Sequence, residues 1–143
     1  MPSKAHLAAS LLINEPFQTA ASDAPRYLAG GGRRVSEGRW QRSVLEVVRQ
    51  VTQALAAPAR IGLVLTDRPA VALCLANRRA SIRAAWGVSV ASVREATQLI
   101  GANLLVLNPA QHGVYELRGM IREFLRGRHD CPADYRQALG GEA

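Results

Sequence analysis

Only two cysteines, Cys74 and Cys131, occur in 143 residues, and neither stands at metal-ligand spacing. A disulfide scaffold and a zinc-type centre are therefore not expected, and no cofactor motif replaces them. Lysine is almost missing: Lys4 is the single one, and the remaining basic side chains are arginines scattered from Arg26 to Arg136. The formal charge of +7 thus comes without a basic stripe. Scattered arginine suits pairing with phosphate or carboxylate better than tracking a nucleic-acid groove, so nucleic acid is not the expected partner. No apolar run approaches the roughly 20 residues that cross a bilayer, and membrane insertion is not expected. The chain also opens without a charged-then-apolar signal segment, and a reduced, cytoplasmic protein is the expectation. No internal repeat is visible.

What is present is enough hydrophobic residue, 48%, for one compact domain with a real core. Residues 1–39 differ in texture from 40–143. Between His6 and Asn14, the apolar Leu7, Leu11, Leu12 and Ile13 suit a short helix or an edge strand equally. From Pro16 to Gly38 the turn formers Pro16, Pro25 and Gly30-Gly31-Gly32 dominate, and this stretch reads as loop, a tether through which residues 1–38 would dock on a protein partner.

From Trp40 the pattern is regular. Trp40, Val44, Val47, Val48, Val51 and Leu55 recur at helical steps and stop before Pro58. Ile61 to Leu65 reads as a buried strand, Ala70 to Asn77 as helix, Ile82 to Trp86 as a second strand. Val90, Val93, Ala96 and Ile100 mark another helix, with Ser92 to Glu95 resembling a capping box. Asn103 to Leu107 is a third strand, and Val114 to Leu125 outlines the last helix. Strands alternating with helices at this spacing predict an α/β fold, a mainly parallel sheet covered by helices on both faces in three layers.

The turn Thr66-Asp67-Arg68-Pro69 falls at the carboxyl end of the first of these strands, where open α/β sheets bind ligands. It carries little reactive chemistry. Asp67 is expected to cap the next helix and Pro69 to open it, while Arg68 is a candidate for holding an anion.

The run Ala76-Asn77-Arg78-Arg79-Ala80-Ser81-Ile82-Arg83-Ala84-Ala85, with Ala102-Asn103-Leu104-Leu105-Val106-Leu107 beyond it, resembles the ribose-5-phosphate isomerase B and galactose-6-phosphate isomerase family across Trp40 to His129. The resemblance implies a Rossmann-like α/β/α sandwich, a homodimer or higher homo-oligomer with sites at the subunit boundary, and a sugar-phosphate ligand. It also implies a cysteine base after the first strand, a glycine-rich loop, and a histidine-asparagine pair before the Ala-Asn strand. Here Thr66 stands at the cysteine's position, the loop reads Asp67-Arg68-Pro69-Ala70-Val71, and Leu99 and Ile100 replace the pair. A threonine hydroxyl is no carbon-acid base at neutral pH without a strong base beside it.

Leu99 and Ile100 are expected in the core, as is Cys74. Ser22-Asp23 echoes the family's amino-terminal motif by chance, and His112 has no visible partner. Asn77, Arg83, Arg128 and His129 match family positions, the last two in a Gly-Arg-His segment, and with Arg68 they form the candidate ligand-binding set. The expectation is a catalytically impaired isomerase relative, a pseudoenzyme that binds a sugar phosphate or a protein partner. An active aldose-ketose isomerase with a rebuilt or shared site is the alternative, and a scaffold docking through its amino-terminal tail a further one.

Overall fold

The computed structural model describes residues 11–14, 40–41, 44–55 and 61–139. Five strands, β1 (Leu11–Asn14), β2 (Trp40–Gln41), β3 (Gly62–Leu65), β4 (Ala84–Trp86) and β5 (Leu104–Leu107), form one parallel sheet in the order β2-β1-β3-β5-β4. Among the described residues, four α-helices accompany them: α1 (Val44–Ala54), α2 (Pro69–Ala76), α3 (Val90–Ile100) and α4 (Val114–Arg126).

The direction of each crossover decides which face its helix covers. From β2 to β3 and from β3 to β4 the chain steps the same way, passing over one strand each time, and the linking helices α1 and α2 share one face. From β4 it steps back to β5, and α3 lies on the opposite face, where α4 joins it. A uniform crossover hand requires this reversal.

The strands read as continuous apolar runs because both faces are covered. Leu63, Leu65, Leu105 and Leu107 pack against Val93, Leu117, Met120, Ile121 and Phe124 from α3 and α4. Their neighbours Val64, Leu104 and Val106 point the other way, into Val44, Val47, Val48 and Val51 of α1 and Ala72 and Ala76 of α2. Helix α1 presses so close that a Cβ on Gly62 would lie 2.8 Å from Val51 Cγ2. None of the described helices is long and apolar enough to cross a membrane.

Several expectations change. Leu11–Asn14 is neither helix nor edge strand; it lies inside the sheet, paired on one side with Trp40–Gln41 and on the other with Leu63, Val64 and Leu65. The sheet therefore draws on both sides of the textural boundary at residue 39. Trp40 belongs to β2, and the helix starts at Val44. The capping box of α3 is formed one turn earlier, by Ser89 and Ser92, whose side chains each take the other's backbone N–H at 3.0 Å. Pro16 to Gly38 and Ser22-Asp23 lie outside the described residues.

Candidate functional site

In this strand order, connections diverge between β1 and β3, so the carboxyl ends of those strands flank the crevice that parallel α/β sheets use for ligands. Asn14 ends β1 there, and Thr66 follows β3. Thr66 is fully buried. Its N–H donates to the Leu107 carbonyl of β5 at 2.9 Å, and its Oγ1 accepts the Arg68 N–H at 3.0 Å. Thr66 thus organises the turn in the manner expected of Asp67. The residue that caps α2 is Arg68, without a side-chain bond, and Pro69 opens the helix as expected. The Arg68 side chain is exposed above this turn.

Across β5, Asn108 occupies the level of Thr66. It is buried, with Oδ1 accepting the Ala110 N–H at 3.1 Å, and it starts a single 3-10 turn, Pro109–Gln111, that leads to His112 and α4. His112 has a partner after all: Nδ1 lies 2.5 Å from Glu116 Oε1, one helical turn on.

The other candidate residues gather at the opposite, amino end of the sheet. Asn77 closes α2 and braces the start of β4, donating Nδ2–H to the Ala84 carbonyl at 3.1 Å and accepting the Ala84 N–H at 2.8 Å. Arg83 is buried, with Nε donating to the Gly101 carbonyl at 3.2 Å and a terminal nitrogen to the His129 carbonyl at 2.7 Å. His129 Nδ1 in turn donates to the Ala102 carbonyl at 2.8 Å, and its ring meets Phe124 edge-on. Burial lowers the His129 pKa, and Arg83 adds to this, against the opposing pull of the Ala102 and Leu125 carbonyls and Asp130. Arg83 and His129 are therefore brought together, Arg83 donating through Nε and a terminal nitrogen and His129 through Nδ1 to main-chain carbonyls. Arg128 remains exposed beside them.

Two residues expected in the core are outside it. Leu99 is 53% exposed on the outer side of α3, although Ile100 packs against the core, and Cys74 is exposed on α2. Helix α2 is apolar nearly all round, so apolarity alone does not reveal its inner face, which is Pro69, Ala72 and Ala76. Among the described residues no group of acidic, histidine or cysteine side chains is arranged to hold a metal ion. Sequence reading missed the place of Asn14 at the end of β1 and the His112–Glu116 pair. The latter's four-residue spacing, ahead of a helical pattern, was the available signal.

This architecture aligns with that of the ribose 5-phosphate isomerase B of Thermotoga maritima at a TM-score of 0.79, over 94% of this chain and 97% of that one, at 20% identity. The fold is that of ribose-5-phosphate isomerase B. The isomerase B of Anaplasma phagocytophilum gives 0.76 over 94% and 97% at 17% identity. That of Mycoplasma genitalium, solved with bound ribulose-5-phosphate, gives 0.70 over 93% of each chain at 17%. By sequence, no family model and no curated protein matches. The likeness to isomerase B therefore lives in the backbone, and it spans more of the chain than the Trp40-to-His129 stretch that carries it in sequence.

Proposed function

We propose that this chain binds a sugar phosphate at the carboxyl edge of its sheet and does not isomerise it by the cysteine route. One observation carries the reading: the residue after β3 is a buried threonine whose hydroxyl accepts a backbone N–H within its own turn. Such a hydroxyl is a structural acceptor, and its intrinsic acidity is far too low for carbon-acid chemistry at neutral pH. The isomerase B fold, and the ribulose-5-phosphate bound to the Mycoplasma protein, support the ligand class. Coupled assays of ribose 5-phosphate and ribulose 5-phosphate interconversion are expected to stay at background. Turnover that disappears in Thr66→Ala would overturn the reading.

Arg68 and Arg128 stand at opposite ends of the sheet, so one subunit cannot close both on one ligand. A homodimer with its site at the subunit boundary can. Ribose 5-phosphate at about 100 times its Kd should then stabilise the protein by roughly 2.7 kcal/mol, a rise of about 5–10 °C in Tm. Arg68→Ala and Arg128→Ala should each abolish the rise, and refolding the two variants together should restore part of it, because mixed dimers regain one complete site. No restoration would sink the shared site and leave the binding reading standing. A shared site is also compatible with the alternative, an active isomerase with a rebuilt or shared centre, and the coupled assay separates the two.

A further inference from the structure

Among the described residues, Trp86 Nε1, His112 Nε2 and His129 Nε2 are buried side-chain nitrogens that find no hydrogen-bond partner. His129 belongs to the amino end, away from the candidate site. The other two lie at the carboxyl end: Trp86 is the last residue of β4, and His112 follows the 3-10 turn after β5. A buried nitrogen left unpaired is costly, and native proteins seldom keep one without a use for it.

His112 is the more informative of the pair. Its side chain is only 8% exposed, while that of Glu116 is 48% exposed. The Glu116 carboxylate can only accept, so the proton of a neutral ring sits on Nδ1 and Nε2 presents a lone pair. The two ring nitrogens diverge, which turns Nε2 away from the first turn of α4. That turn has no side-chain cap, since Gly113 occupies the N-cap position. Glu116 already supplies the negative charge that a helix start favours, so an approaching ligand meets an acceptor here and not an anion hole.

We propose that His112 Nε2 is a hydroxyl-recognition group of the carboxyl-edge site, accepting the O–H of a bound polyol phosphate, with Glu116 as the positioning residue that fixes the ring and its tautomer. The proposal rests on the sugar-phosphate reading above and adds the group that reads the sugar. The pairing of Thr66 with Leu107 and the single turn from Asn108 to His112 put this group over the same edge as Thr66.

Calorimetric titration of the full chain with ribose 5-phosphate, with inorganic phosphate as the probe lacking sugar hydroxyls, separates the possibilities. His112→Ala should weaken ribose 5-phosphate by roughly tenfold, about one hydrogen bond, and leave inorganic phosphate unchanged. Glu116→Gln should weaken it less, because an amide oxygen still orients the ring. Equal ribose 5-phosphate affinity in wild type and His112→Ala would overturn the proposal alone, whereas no binding by the wild type would overturn it together with the reading beneath it. Long-range nitrogen-15 spectra of the wild type need no variant: in the neutral ring of the free protein the proton should sit on Nδ1, and the Nε2 signal should move on ligand addition. A neutral ring with its proton on Nε2, or an Nε2 signal that ligand leaves in place, would refute the assignment.

Discussion

Gly101 ends α3 with φ 59°, and a Cβ there would fall 1.7 Å from the Asp130 carbonyl oxygen. Both the left-handed backbone and the carboxyl-terminal segment packed on it demand glycine. Gly101→Ala should cost about 1–2 kcal/mol for the backbone alone, more once Asp130 is displaced, and thermal denaturation should show a fall in Tm of several degrees. His129, at the opposite end of the sheet from the ligand edge, gives a pH signature. Its folded pKa lies below the ordinary value of 6.5, so the unfolded chain takes up the proton first. Stability should therefore be fully present above about pH 6.5 and decline as pH falls toward the folded value, and His129→Asn, which keeps an N–H for Ala102, should flatten the decline in urea titrations. Cys74, exposed on α2, should react with a thiol reagent in the native state as fast as in a denatured control. Slow native labelling would mean that α2 is covered in solution.

At the scale of elements, α3 and α4 are tied by one carboxylate. Glu123 takes Arg94 Nε at 2.8 Å and an Arg126 terminal nitrogen at 2.6 Å, and these bonds hold its pKa below the ordinary 4.5. The stabilisation is present above pH 4.5 and lost as pH falls through the folded value, so Glu123→Gln should lower Tm at neutral pH and narrow the difference from wild type in acid. Helices α3 and α4 were legible in the sequence because their apolar residues recur at helical steps. β3 and β5 were legible as runs bounded by turn formers. β1 was not, because four residues carry no period and its partners Leu63 to Leu65 are distant in the chain. Trp40 misled for a related reason: its four-residue step to Val44 mimics a helix, while its pairing with Ile13 is a tertiary fact. Of the candidate site, Thr66 and the altered loop could be read directly. The split of Arg68 from Asn77, Arg83, Arg128 and His129 could not, since strand direction, and not sequence distance, assigns residues to an end.

For the molecule as a whole, the placement of β1 has an effect on the way the chain is made. β1 leaves the ribosome ahead of the other described strands, yet both of its neighbours, β2 and β3, are synthesised later. A strand with two open edges is a template for wrong pairing until they arrive. Its pairing to β3 also closes a long loop, which slows folding. Production yield should consequently depend on what shields the nascent β1, and a rearranged gene that encodes β1 after β3 should lose that dependence.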